Sequence, residues 1–334
     1  MNRVALLPVE DRALACQEAA IRMGLASPLI IEKDFWVCWT LRQVFSLEGL
    51  PAPLFKGGTS LSKAYGLIQR FSEDVDLVLD RHTLGFSGQN DPAEQSGSNL
   101  RRRTLEALAA CCARIVQDQV RPALEAKFRR ELGERGWRID PDPNDPQGLL
   151  FAYPPAVKYE TGLRYLRPLV RLEFGCRGDV WPSETRRIQP YLADYFPQLF
   201  GTKDCAINVL KPERTFWEKA TLLHAIFHSR KKPERQSRHY YDVSRMYRAM
   251  GDAVFADLGL LAQVVEHKKV FYRAASANYE TAKPGSLRLL PGRELELALR
   301  NDWRDMQDML FGPAPSFDEI LSDLRAIENG VNRS

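Results

Sequence analysis

The sequence predicts an α+β protein, with a mixed or antiparallel sheet in its first part and a helical second part. Two observations carry that prediction. Short apolar or alternating runs at Leu54-Phe55, Asp74 to Leu79, Leu149 to Tyr153 and Leu169 to Gly175 have strand length and strand composition. From about residue 205 onward, apolar residues instead recur at helical spacing in one segment after another. The division therefore falls at 1–204 for a core with N-terminal helices and 205–334 for a helical C-terminal domain, with no flexible linker between them.

Taken in order, residues 9 to 24 form a helix closed by Gly24. Ser27 caps the next helix and Pro28 fills its first turn. That helix runs to about Phe45 with a wide apolar face, on which Glu32-Lys33-Asp34 is expected as a solvated turn. Leu54 and Phe55 make a buried strand entering the Gly57-Gly58 turn, followed by a helix over Thr59 to Gln69 and the strand Asp74 to Leu79. Residues 81 to 98, rich in Gly, Ser, Asn and Pro, are a surface loop. Asn99 to Leu132 is a long alanine-rich helix interrupted at Pro122, opening on Arg101-Arg102-Arg103. Asp140 to Pro146 is turn material ahead of the two later strands. In the second part, helices cover Pro212 to His228, a segment from Ser237, 252 to 269 and 293 to 310, and a last one begins after the capping box at Ser316.

Composition narrows the class. At 334 residues, with 44% hydrophobic and 27% charged residues, the chain is an ordinary soluble globular protein. Its net charge of +4 permits a polyanionic partner without demanding one. Six scattered cysteines without a CxxC pair read as reduced, mostly buried thiols of a cytoplasmic protein. The N-terminal residues lack the pattern of a signal peptide, and no apolar run is long enough to span a membrane.

The chemistry concentrates between Phe55 and Leu79. Side chains alternate across a strand, so Asp74 and Asp76 share a face. Two carboxylates held that close repel each other, and a magnesium ion bound beside substrate phosphates removes the difficulty. Gly57 and Gly58 supply a turn whose backbone N–H groups suit a phosphate, with Lys56 beside them as support. Val170-Arg171-Leu172-Glu173-Phe174 places Arg171 and Glu173 on one face; antiparallel to the acidic strand, Glu173 is either a third carboxylate at the metal or part of an exposed strand face. His224 and His228, at helical spacing, lack the companions of a zinc site and are expected in a helical core.

The order of Glu32-Lys33-Asp34, Lys56-Gly57-Gly58-Thr59, Arg70-Phe71-Ser72-Glu73-Asp74-Val75-Asp76, Thr215-Phe216-Trp217-Glu218-Lys219, Arg238-His239-Tyr240-Tyr241-Asp242 and Pro315-Ser316-Phe317-Asp318-Glu319 resembles the AbiEii nucleotidyltransferase toxin family, over about residues 27 to 327. The resemblance implies a polymerase-β-like nucleotidyltransferase core and a helical C-terminal domain. It implies a toxin of a type IV toxin–antitoxin or abortive-infection system, encoded beside an antitoxin, that adds nucleotides to the 3′ end of tRNA. It assigns Asp74, Asp76 and Glu173 to Mg2+ or Mn2+, Lys219 to the triphosphate of the NTP, and Asp242 to the same chemistry, with Lys211 competing for the lysine's part. The superfamily usually has serine after the glycine pair, whereas here Thr59 follows and fourteen residues separate it from Asp74. The hydroxyl that meets phosphate is therefore open among Thr59, Ser60 and Ser72. Residues 230 to 235, Arg238 and Arg101 to Arg103 are expected to form a groove for tRNA phosphates, with Tyr240 and Tyr241 stacking bases. Two alternatives stand beside this one: transfer to a protein hydroxyl (Ser72 itself included) or small molecule, and nucleotide binding without turnover.

Overall fold

The strand segments assemble into one seven-stranded sheet in the computed structural model, which describes residues 1–25, 27–72, 74–134, 136–158, 167–229, 235–312 and 314–333, the Asp308 side chain excepted. The chain divides into two units. One joins Met1–Ala64 to Phe71–Val209, and the other joins Tyr65–Arg70 to Leu210–Ser334. The sequence places the break after residue 204; the difference is the strand at Cys205–Leu210, which pairs into the sheet instead of opening the helical part.

In the first unit the helices are α1 (Asn2–Ala5), α2 (Val9–Met23), α3 (Pro28–Val44), α4 (Gly57–Lys63), α5 (Ser98–Ile115), α6 (Arg121–Leu132) and α7 (Leu192–Tyr195). The strands are β1 (Pro53–Lys56), β2 (Asp74–Leu79), β3 (Arg138–Asp142), β4 (Asp145–Ala152), β5 (Leu169–Gly175), β6 (Ser183–Ile188) and β7 (Cys205–Leu210), in the sheet order β3-β4-β5-β2-β1-β7-β6. The sheet is mixed, as expected: β1 runs antiparallel to β2 and parallel to β7, while β4 is antiparallel to both β3 and β5. The expected antiparallel pairing of β5 with the acidic strand is wrong. β2 and β5 are parallel, because the α5–α6 crossover returns the chain to the starting end of the sheet before the β3–β4–β5 meander begins. The segment expected as turn over 140 to 146 is mostly β3 and β4, with the hairpin turn confined to Pro143 and Asn144.

Ser27 caps α3 by accepting the Leu29 N–H at 3.3 Å. Trp36 and Trp39 on α3 meet Phe128 of α6, Phe151 of β4 and Tyr153, with Trp36 stacked on Tyr153 at 5.3 Å and Phe128 tilted against Phe151 at 4.6 Å. Burying aromatics of this size removes ~150–250 Å² each from water, on the order of 4–6 kcal/mol apiece as an upper estimate.

Glu32, Lys33 and Asp34 are not a solvated turn: all three are buried. Glu32 accepts N–H groups from Ala156 at 2.6 Å and Val157 at 3.3 Å, with Arg12 at 3.8 Å. Asp34 pairs with Lys63 at 2.7 Å and accepts the Tyr191 N–H at 2.7 Å. The Lys33 ammonium lies 5.8 Å from the centre of the Phe71 ring. Charges on an apolar helix face survive burial because partners from distant segments converge on them.

Pro122 does not break the long helix. A π-helical turn at Val116–Val120 joins α5 to α6, widening the turn where proline has no N–H to give.

The second unit is helical, with α8 (Pro212–His228), α9 (Ser237–Met250), α10 (Leu258–Phe271), α11 (Arg293–Asp305) and α12 (Phe317–Arg333). The capping box at the start of α12 is formed, since Ser316 N–H donates to Glu319 at 2.7 Å and Glu319 N–H donates to the Ser316 hydroxyl at 3.2 Å. Residues 65–70 do not extend α4 as expected. The helix stops at Lys63, Gly66 turns with φ +64°, and the segment is bound into the helical unit. Phe311 N–H donates to the Gln69 carbonyl at 2.7 Å, and Gln69 N–H donates to the Tyr241 hydroxyl at 3.1 Å. No single helix among the described residues is long and apolar enough to cross a membrane.

Candidate active site

The glycine turn and the acidic strand of the first unit meet at one point. β1 ends at Lys56, which is paired across the sheet with Asp76. Gly57 then adopts φ +79°, a conformation that L side chains rarely take, and a Cβ there would fall 1.8 Å from Asp76 Oδ2. Glycine is thus required twice over: for the backbone angle, and for the carboxylate that occupies the space a side chain would need. Behind the turn, the Thr59 hydroxyl donates to the Asp74 carbonyl at 2.5 Å, with the Ser72 carbonyl at 3.3 Å. Ser60 donates to the Gly57 carbonyl at 2.9 Å. Gly58, Thr59 and Ser60 are buried, so these two hydroxyls hold the turn and the entry to β2. Ser72 is half-buried, directly ahead of the acidic strand.

Register explains the electrostatics. Lys56, Asp76, Glu173 and Gly148 form one lateral row across β1, β2, β5 and β4, and Asp74 lies opposite Arg171 in the next row on the same face. Glu173 feels this crowding. Burial first, then the Asp76 and Asp74 charges, push its carboxyl up to about 7, against the opposing pull of Arg171. Arg171 binds Glu173 at 2.5 Å and donates to Asp142 at 2.6 Å. Val78 shares the acids' face and is covered at Gly178, where a Cβ would fall 2.8 Å from its side chain and 3.5 Å from Lys56 Nζ.

The donor set suits a hard divalent cation only in part. Asp74 and Asp76 offer carboxylate oxygens beside the Gly57 turn, and the repulsion they exert on Glu173 is what a cation would relieve. Yet among the described residues no three His, Cys, Asp or Glu side chains are gathered so as to enclose an ion. A magnesium ion that keeps waters and is bound through one or two carboxylates plus substrate phosphates does not require such a cluster.

The other expected site residues lie in the second unit. Asp242 on α9 is fully buried, with both oxygens engaged: Arg70 donates from Nε at 2.7 Å and from Nη2 at 2.8 Å, and Lys219 on α8 stands at 2.9 Å. Burial works to raise the Asp242 carboxyl, but the Arg70 and Lys219 charges overcome it and hold the group ionised. Enclosed this way, Asp242 has both carboxylate oxygens committed to Arg70 and Lys219. Arg70, quoted in the motif but given no role from sequence, is the residue that reasoning missed; its signal was its place at the head of the run leading to Asp74. His239 is held neutral, by burial first and then by Lys219 and Arg238. Lys211 is half-buried just ahead of α8.

Tyr240 and Tyr241 do not offer stacking surfaces, since both are buried and Tyr241 packs on Trp303 at 5.2 Å. Of the expected basic groove, residues 230–234 lie outside the described residues. Arg101 donates to the Gln95 carbonyl at 2.7 Å and Arg102 pairs with Glu106 at 2.8 Å. His224 has core partners: its Nδ1 accepts the Arg288 N–H at 3.0 Å, and its Nε2 lies 3.1 Å from the Asn278 carbonyl.

Comparison with known proteins adds the family. The family described as "Nucleotidyl transferase AbiEii toxin, Type IV TA system" matches residues 40–323. Among curated proteins none matches. Among solved structures, the chain is similar to MenT4, a nucleotidyltransferase toxin from Mycobacterium tuberculosis H37Rv, with a TM-score of 0.53 and 18% identity over 96% of this chain and 90% of that one. At that identity the likeness concerns the fold.

Proposed function

The chain belongs to the AbiEii family of nucleotidyltransferase toxins, and from that membership we propose that it transfers NMP from NTP to an RNA 3′-hydroxyl, that of tRNA, in a reaction that needs a divalent cation. As a nucleotidyltransferase toxin of a type IV system it is an enzyme that uses an NTP, and it has an antitoxin as its partner. The observation that carries the chemical reading is the Asp76 carboxylate filling the Cβ space of Gly57, which sets acid and phosphate turn side by side.

In this reading Asp74 and Asp76 would hold Mg2+ or Mn2+, with Glu173 next to them in the row. The cation would offset phosphate charge and make the α-phosphorus more electrophilic. Gly57 and Gly58 would bring a turn without side chains to the phosphate oxygens, and Lys56 would add positive charge beside it. Thr59 and Ser60 shape the turn from within, so Ser72 is the hydroxyl we assign to substrate contact. For Lys219 the expected role as a cation for the triphosphate is part of this proposal; within the second unit Asp242 would hold it, with Arg70 on the same carboxylate. The attacking 3′-oxygen forms its bond to the α-phosphorus as the bond to pyrophosphate breaks.

The test is incubation with α-labelled NTPs and total tRNA. Label is expected in the tRNA fraction with the parent and not with Asp74→Ala. Absence of label from every RNA species, with Asp74→Ala still toxic, would overturn the mechanism; label on the protein itself would point to a hydroxyl such as Ser72 as acceptor.

A further inference from the structure

On the first unit, a hollow of about 340 Å³ lies between the loop after β2 and helix α5, lined by Gly85, Phe86, Asn90, Arg103, Thr104 and Ala107. Two of its three polar side chains are uncommitted among the described residues. In the run Arg101-Arg102-Arg103 the first two guanidiniums are spent on Gln95 and Glu106, whereas among the described residues Arg103 makes no ion pair or hydrogen bond. The Asn90 carboxamide likewise has no partner, and the half-buried Phe86 ring makes no ring contact. Thr104 is different, its hydroxyl donating back to the Leu100 carbonyl at 3.0 Å.

We infer that this hollow binds one nucleotide unit, base and phosphate together, as a second site apart from the glycine turn. A half-buried aromatic ring with no ring contact among the described residues can accept any base by stacking. A carboxamide carries both donor and acceptor for a base edge. A guanidinium beside them matches a phosphate in fork geometry. A simple anion would have no use for the ring, and an apolar segment would have none for the guanidinium. The volume lies near the lower bound of ligand pockets, roughly 300–1,000 Å³, which suits one unit rather than a folded partner. Resting on the proposed RNA acceptor, the inference takes that unit to be a nucleotide of the acceptor strand, held while its 3′ end reacts elsewhere.

The experiment measures binding of a short single-stranded oligoribonucleotide and, separately, of free AMP and UMP, by the full-length parent and by Phe86→Ala, Phe86→Leu, Asn90→Ala, Arg103→Ala and Arg102→Ala. Phe86→Ala and Arg103→Ala are expected to weaken oligonucleotide binding about 5-fold or more. Arg103→Ala should also lower the slope of binding against salt by about one ion. Phe86→Leu, which keeps apolar bulk, should lose affinity as Phe86→Ala does, whereas Arg102→Ala should bind like the parent. The KM for NTP should be unchanged while that for RNA rises. If the variants lose free mononucleotide but not oligonucleotide, the nucleotide site stands and the strand is the wrong source. If the parent binds neither, or all variants match it, the inference is overturned. Labelling of tRNA is scored independently: pocket variants that label tRNA normally with parental KM sink this site alone, and a parent that labels nothing sinks the proposed reaction.

Discussion

At Gly57 a backbone angle and a neighbouring carboxylate impose the same residue. Gly66 offers a natural control, with φ +64° but no atom within 4 Å of where a Cβ would stand. Alanine at either position incurs the cost of left-handed backbone, roughly 1–2 kcal/mol, but only Gly57→Ala must also displace Asp76. Urea denaturation should therefore show a larger loss for Gly57→Ala, and nucleotidyl transfer should collapse only there. Equal behaviour of the two variants would mean that Asp76 moves aside freely. Glu173 supports a second prediction. Its carboxyl titrates near 7 in the folded protein against an ordinary 4.5, so between those values the folded state keeps a proton that the unfolded chain gives up. Its contribution to stability is thus full below about pH 4.5 and falls as pH rises toward 7. In metal-free buffer, melting temperature should decline across that window in the parent and decline less in Glu173→Gln; superimposable profiles would reject the shift.

Among the elements, α8 and α9 are joined through Asp242, which neutralises two buried cations at once. Its removal takes away the carboxylate that Arg70 and Lys219 share, a loss of about 3–5 kcal/mol for Asp242→Ala by chemical denaturation. Replacing Arg70 by Met in the same chain should recover part of that loss, because one of the two like charges around the vacated position is then gone. Strict additivity of the two changes would show that the pair is not coupled. The strands illustrate what sequence does and does not convey. Alternation in Val170 to Phe174 placed Arg171 and Glu173 on one face, and the register agrees. But alternation is identical in parallel and antiparallel pairs, so the direction of β5 was illegible without the intervening crossover. The same holds for Glu32 and Asp34: their partners Ala156, Tyr191 and Lys63 come from distant parts of the chain, and a local reading saw only charges on a helix. Likewise, nothing local showed that the hydroxyls of Thr59 and Ser60 would be turned inward onto carbonyls.

For the whole molecule, ligand binding to the folded state alone raises stability by mass action. NTP with Mg2+ at about 100 times its dissociation constant should add ~2.7 kcal/mol, visible as a rise of a few degrees in melting temperature. Asp74→Ala should show little of this rise. A full shift in that variant would place the nucleotide's main contacts away from the acidic strand. The class of fold was legible from strand-like and helix-like segments because periodicity is a property of the chain itself. The boundary was not, because Cys205–Leu210 is apolar enough for either half and only its pairing with β1 decides.

The assignment of residues 65–70 to the helical unit makes neither half a continuous stretch of polypeptide. A chain cut at 209/210 would leave a C-terminal fragment in which Asp242 keeps Lys219 but has lost Arg70, and in which Tyr241 has lost the Gln69 backbone. A graft that begins at Leu210 carries the Asp242 carboxylate without this chain's Arg70. The six residues 65–70 travel with the helices, so a transplant succeeds only as a two-piece insertion.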